Sequence, residues 1–255
     1  MNPIAIYKEL PKTNCKKCGY TTCMAFSVAV AKGDEAFESC PFLEKAKIEN
    51  LTETIKQADW RENLIKSLKE EMKEIDLKEV APGIGAEVVD NGIKIFFLGR
   101  DFLIDSSLEI STEGTVTPWE KILLLLYIKM QGKSELANNW VSFGELRGGY
   151  VKVEAIKKEC EKPLTNLVKE RFEEVEKVLK QIGAEDEGGH ISDRSWRLFI
   201  LPKIPILIQY WAPVEDFPPG IKLLFDKTAV DFLDIESLVF LGEGLVGKVE
   251  QLLKD

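Results

Sequence analysis

Residues 10–41 read LPKTNCKKCGYTTCMAFSVAVAKGDEAFESCP and hold four of the five cysteines of a 255-residue chain. The gaps between them are two, four and sixteen residues, and Pro41 follows Cys40 at once. Cys15-x-x-Cys18 puts two thiolates within reach of one metal centre. Cys23 opens a run of small and apolar residues that reads as a helix, with Thr21 or Thr22 as its cap. A thiolate there sits near the positive end of a helix dipole. Gly33 is read as the end of this helix, and DEAFES as a second short helix that brings Cys40 back to the first three.

Three readings of these thiols compete. Structural zinc usually takes two short C-x-x-C knuckles, and here the second pair is split by sixteen residues. A 4Fe–4S cluster needs four thiolates, commonly three clustered and one remote with a proline behind it. That pattern is met. Four core cysteines without metal would require the spacing to arise by chance. The cluster is favoured over zinc, and zinc over no metal.

The remainder of the chain bounds what such a centre could serve. Apolar residues make up 45% and charged residues 30%, the balance of an ordinary globular protein. A net charge of −9 argues against nucleic acid as the main partner, since backbone binding needs a surplus of Lys and Arg. No apolar run approaches the ~20 residues of a membrane span. MNPIAIYKEL lacks the basic region and apolar stretch of a signal peptide. The expectation is a cytoplasmic protein with no membrane partner, where clustered cysteines mean metal more often than disulfide.

Three segments are expected: a cysteine-rich unit over 1–43, a charged helical connector over 44–78, and a domain over 79–255. In the connector Ile48, Leu51, Ile55, Leu64, Leu68 and Met72 recur at near-helical spacing, with a break expected near Asp59. Farther on, AEVVD and IKIFFLG flank Asn91-Gly92, a hairpin turn signal. DFLIDSSLEI reads as a third strand. Thr117, Pro118 and Glu120 form a capping box for a helix over 118–131 that Gly132 stops. Two helices, roughly 151–160 and 163–182, are expected on either side of Pro163. WRLFILPKIPILIQYW gives two strand-like runs in which Pro202 and Pro205 limit pairing. The last helix occupies much of 230–254, and Asp226 is a candidate cap for this end. The fold class is α+β: a small, mostly helical module and a larger mixed domain.

The first 43 residues resemble the 4Fe–4S module that opens the large subunit of corrinoid iron–sulfur proteins of anaerobic one-carbon metabolism. C-x-x-C-G, T-x-C, the small-residue helix, K-G and C-P carry the likeness. It implies Cys15, Cys18, Cys23 and Cys40 as cluster ligands. The remaining residues do not resemble that subunit's barrel. They look like a domain family of uncharacterised function found behind this module in anaerobes. WVSFGELRGG at 140–149 and FPPGIKLLFDKTAVDFL at 217–233 carry that resemblance. The pair of resemblances implies low-potential electron transfer to a corrinoid, such as cobalamin, or to a corrinoid protein. A cofactor carrier or metalloenzyme-assembly protein with a structural or sensing cluster is the alternative.

The other candidates each have a plainer reading. Cys160 sits at helical spacing with no paired base nearby and reads as a small buried hydrophobe. His190, the one histidine, lies in EGGHISD; an exposed polar residue is the bland reading, an axial cobalt or iron ligand the functional one. The D-x-H-x-x-G signature of common cobalamin domains is absent. The aromatic and glycine content around Trp140 and Phe143 reads first as a packed loop and second as a wall for a planar ligand. A corrinoid held by this domain is expected against His190, Trp140 and Trp211. Glu215 and Asp216 read as solvated. No Ser-His-Asp or paired-carboxylate mechanism can be assembled, so an electron-transfer or cofactor-binding protein is expected rather than a stand-alone enzyme. Lys12, Lys16 and Lys17 make a local basic patch, read both as compensation for an anionic cluster and as a docking surface for an acidic redox partner.

Overall fold

In the computed structural model the described residues are 3–32, 35–215 and 217–254, with backbone alone described at 32 and 54–59. Gly33, Asp34 and Asp216 and the side chains of Ile55 and Asp59, named above, lie outside them. The chain divides into two compact units, Met1–Ser67 and Leu68–Asp255.

The first unit is helical. Helix α1 (Pro3–Glu9) packs on α2 (Cys23–Lys32), and a 3-10 turn (Phe37–Ser39) leads to Cys40. Thr22 Oγ1 accepts from the Ala25 amide at 3.0 Å, which makes it the cap of α2. Ile6, Leu10, Phe26, Val30, Phe37 and Leu51 close the core around Cys23 and Cys40. Helix α3 (Lys45–Glu71) carries the chain onward, and the division of the units falls within it. The break expected near Asp59 does not occur. No Pro or Gly interrupts this segment, and a single Asp is too weak a breaker.

The second unit is mixed. Helix α4 (Leu77–Ile84), capped by Asp76, ends on Gly85 in the left-handed region at φ 70°. Strands β1 (Glu87–Val89), β2 (Gly92–Phe97), β3 (Arg100–Asp105) and β4 (Ile110–Ser111) form an antiparallel meander. The first hairpin is present one residue out of the expected frame. Gly92 already pairs with Val89, so the loop is Asp90–Asn91. The third strand is two, β3 and β4, because Asp105 Oδ1 accepts from the Ser107 and Glu109 amides and turns the chain.

Helix α5 (Pro118–Met130) carries the reciprocal Thr117–Glu120 box. It ends at Gln131, left-handed at φ 49°, one residue before the expected Gly132. Its Tyr127 is fully buried. The hydroxyl donates to Ile84 O at 2.6 Å and accepts from the Lys203 amide at 3.0 Å. Strand β5 (Trp140–Ser142) follows, then helices α6 (Val153–Ile156) and α7 (Lys162–Gln181). Pro163 does not separate them. A π-helical turn, Lys157–Glu161, joins them, and the Lys162 amide donates to Lys157 O five residues back. The wide turn makes room for a ring that would otherwise press on a carbonyl one turn earlier.

Strands β6 (Glu185–Asp186), β7 (Arg194–Leu201), β8 (Ile204–Trp211) and β9 (Gly220–Asp226) complete an antiparallel sheet in the order β5-β9-β8-β7-β6. Strand β8 is central and buried from Ile204 to Tyr210, which explains its apolar run Ile204–Ile208; the polar Gln209 is buried with it. Pro205 lies opposite Phe199, where the register slips between Phe199 and Leu201; the bulge absorbs its missing N–H. Pro202 occupies the turn. Helix α8 (Ile235–Leu252) is capped by Asp234, which accepts from Ser237 N at 2.8 Å, and not by Asp226.

Asp226 is buried at 1% exposure and does other work. It accepts from the Ala137 and Asn139 amides and from the amide and hydroxyl of Thr228. Burial pushes its carboxyl up, but those four bonds outweigh burial and hold it below its ordinary 3.8. A depressed folded value means the stabilisation is complete above about pH 4 and is lost as pH falls through the folded value. Asp226→Asn would lose the charge and turn an amide donor toward a backbone donor. We expect it to cost about 1–3 kcal/mol at pH 7, with the gap to wild type narrowing at pH 3. Urea unfolding at the two pH values checks this; an equal gap at both would refute the role assigned to the carboxylate.

Candidate metal centre

The loop before α2 has an unusual backbone. Lys12, Asn14 and Lys16 all lie at positive φ, 59°, 49° and 64°, where only glycine is at ease. Gly19 at φ 86° closes the turn, its amide donating to Lys16 O at 3.0 Å. Asn14 Oδ1 accepts from the Cys23 amide at 2.8 Å, which pins the loop to the first turn of α2. Asn is the non-glycine residue best suited to this conformation, and its side chain takes one of the free donors of the helix end.

The folded loop brings Cys15, Cys18, Cys23 and Cys40 to the wall of one small cavity, with Leu10, Tyr20, Phe26 and Pro41 as its apolar sides. The thiols differ in exposure. Cys23 and Cys40 are buried, Cys18 is half-buried and Cys15 is exposed. The Lys17 amide, hydrogen-bonded to the Cys15 sulfur, holds that thiol below its ordinary range against the opposing effect of burial. The Thr13 hydroxyl, the residue's own amide and the Lys17 charge act in the same direction as the Lys17 amide. Among the described residues no three His, Cys, Asp or Glu side chains are drawn together tightly enough to hold one metal ion.

The fifth cysteine stands apart. Cys160 lies in the π-turn, fully buried, with its Sγ 3.8 Å from Val239 O. A Cβ on Gly242 would come within 2.7 Å of that sulfur. Burial pushes the thiol up to about 12, with Glu243, Glu161 and Glu159 adding to it. It is a packing residue, as its spacing suggested.

In the second unit, Trp140 and His190 meet through a residue that sequence reading passed over. The Trp140 indole donates to Glu187 Oε1 at 3.1 Å, and His190 Nε2 lies 3.4 Å from the same oxygen. Arg197 Nε is 3.3 Å from the other oxygen. Because Trp140 is on edge strand β5 and Glu187 follows edge strand β6, the bond bridges the two edges of the sheet. Trp211 ends β8 opposite Gly220 and is not bonded to Glu187. Phe143 is buried edge-to-face on Phe225 at 5.4 Å, and a Cβ on Gly149 would strike Phe143 O. The loop around Phe143 is thus packed, as its plainer reading held. Asn14 and Glu187 were missed for the same reason: nothing local marks a side chain whose partner is supplied by folding.

The family profile described as "Domain of unknown function (DUF3786)" matches residues 76–248. The chain belongs to this DUF3786 family. A second profile, described as "Putative Fe-S cluster", matches residues 10–42 of the DUF3786 chain. The "Corrinoid/iron-sulfur protein large subunit" of Moorella thermoacetica is 46% identical over 48 residues, 19% of this chain and 11% of that protein. The "Acetyl-CoA decarbonylase/synthase complex subunit gamma" of Methanosarcina thermophila is 44% identical over 46 residues, 18% of this chain and 10% of that one. The subunit of the same description from Methanocaldococcus jannaschii is 29% identical over 185 residues, 69% of this chain and 36% of the relative. That alignment is longer than the cysteine-rich segment to which the sequence reading confined the likeness. The chain spans about a third of that relative's length and about a tenth of the other two. No solved structure matches.

Asn14 supplies both a bond and a left-handed backbone, and two substitutions separate them. Asn14→Gly keeps the backbone and loses the bond, at about 1 kcal/mol. Asn14→Ala loses both, at about 2–3 kcal/mol in all. Tryptic cleavage at Lys12, Lys16 and Lys17 should therefore quicken in the order wild type, Gly, Ala. Equal rates for the two variants would show that the backbone strain has no energetic weight.

Proposed function

We propose that this is a cytoplasmic 4Fe–4S protein whose N-terminal unit passes single electrons at low potential to a corrinoid protein. The observation that supports it most is the convergence of Cys15, Cys18, Cys23 and Cys40 on one apolar-walled cavity. Four thiolates are the donor set of such a cluster. The cavity is narrow, about 10 Å³, so seating a cluster calls for the exposed Cys15–Cys18 loop to move outward. Cys23 and Cys40, buried on α2 and behind the 3-10 turn, are the fixed side of the cradle.

When bound, the cluster would supply one electron to a Co(II) corrinoid. The residues of the chain govern how. The first turn of α2 places its positive end at Cys23 and favours negative charge there. The Lys17 amide, already donating to the Cys15 sulfur, supplies the kind of N–H···S bond that raises a cluster's potential. Leu10, Tyr20 and Phe26 keep water from the buried side.

We place the corrinoid on a partner rather than against His190, Trp140 and Trp211. The His190 and Trp140 nitrogens both face Glu187 Oε1, so axial ligation by His190 would break an existing contact. The relatives' descriptions as subunits of complexes or of a corrinoid protein support a partner as acceptor.

Anaerobic reconstitution should give about four irons and four sulfides per chain. Alanine at Cys15, Cys18, Cys23 or Cys40 should lose or convert the cluster, and Cys160→Ala should keep it. Reduced protein mixed with a Co(II) corrinoid protein in a stopped-flow cell should bleach the Co(II) band. Stoichiometric zinc with no iron uptake, in protein handled without oxygen, would overturn the cluster assignment.

A further inference from the structure

We infer that the open edge of the cysteine cradle is a docking face for the acidic surface of a redox protein, with Lys12, Lys16 and Lys17 as its recognition residues. The inference rests on the cluster reading above and adds the partner's chemistry to it. From Leu10 to Gly33 the chain has no Asp or Glu, within a protein of net charge −9. Lys12, Lys16 and Lys17 are all exposed, and among the described residues none of them makes an ion pair.

Their placement is specific. Lys12 Nζ lies 5.8 Å from the centre of the Tyr7 ring, and Lys17 Nζ 4.9 Å from that of Phe42. Each ring steadies an ammonium without neutralising it, as a carboxylate would. Phe42 is 50% exposed and adds an apolar contact beside the charge. Lys16 and Lys17 follow Cys15, the exposed thiol, directly in the chain, and Lys12 lies three residues before it. Charge, an exposed aromatic ring and the most exposed of the four thiols therefore coincide. Compensation of an anionic cluster would explain positive charge anywhere nearby; it does not call for exposed ammoniums, without ion pairs among the described residues, beside the exposed thiol. An acidic partner would be steered to that edge, with an on-rate that falls as salt rises.

The test uses the full chain, reconstituted without oxygen, and two probes: an acidic plant-type 2Fe–2S ferredoxin and basic cytochrome c. Binding is read by anisotropy of the labelled probe, and electron transfer by stopped flow, each across a salt series. Wild type should bind the ferredoxin with an affinity that falls steeply with salt, and should not bind cytochrome c at this face. Lys12→Gln/Lys16→Gln/Lys17→Gln should weaken ferredoxin binding about tenfold or more at low salt and flatten the salt slope, with iron content and the visible spectrum read alongside to separate lost docking from a lost cluster. Should the triple variant fail to take up iron, Lys16→Gln alone should show the same flattening in part.

An unchanged salt slope in both variants would overturn the docking face. So would a salt-sensitive dimer of the chain itself that the triple variant loses, since the face would then belong to a second copy. Absence of iron in wild type would sink the cluster reading instead. The binding arm needs no electron and would still decide the docking face by itself.

Discussion

Strand β9 has a row of backbone N–H groups that its neighbours cannot all pair, and the large unit is arranged around supplying them. Strand β5 covers only Leu224–Asp226. Beyond it, Glu161 Oε1 accepts from the Leu223 amide at 3.1 Å and Thr165 Oγ1 from the Ile221 amide at 3.0 Å. Lys222 Nζ, 3.1 Å from Glu161, balances the carboxylate's charge. A buried amide left without a partner costs about 1–3 kcal/mol, so this pair of residues stands in for a strand. They come from the π-turn and the first turn of α7, four residues apart, on one face. The π-turn, Pro163 and the covered edge of the sheet are thus one arrangement. Cys160 and Gly242, in contact at the same turn, let α8 close over it.

Features settled by neighbouring residues were legible in the sequence. The Thr117–Glu120 box and the α2 cap need only the geometry of one helical turn; the box stands as read, and of the two threonines offered as the cap Thr22 is the one that bonds. The apolar run at 204–208 fits a core element, and β8 is buried there. Features settled by distant partners were not. Pro163 reads as a break unless the wide turn behind it is known, and Glu161, at the end of that turn, is bonded to β9 only once the chain is folded. Asp226 has the look of a cap, but three amides and a hydroxyl converge on it only once the 137–139 segment crosses the end of β9. Glu187 sits in a polar loop that carries no local signal for a bridge between sheet edges.

The cysteine unit shows the same division. The thiol spacing suggested a shared centre, and the four side chains do line one cavity. The spacing did not show how a loop with three non-glycine residues at positive φ is held in place. Asn14 does that from within the loop, at the cost of depending on a single amide of α2.

Positions 12 and 16 consequently answer to two masters. Their backbone would be served best by glycine, which has no Cβ to crowd a left-handed turn. Their place on the surface is served by an ammonium. A glycine at either site would make the loop more stable and less charged in one step, so firmness of the cradle and the pull it exerts on its surroundings are traded against each other residue by residue. With lysine at both sites, the loop has given up rigidity in return for electrostatic reach.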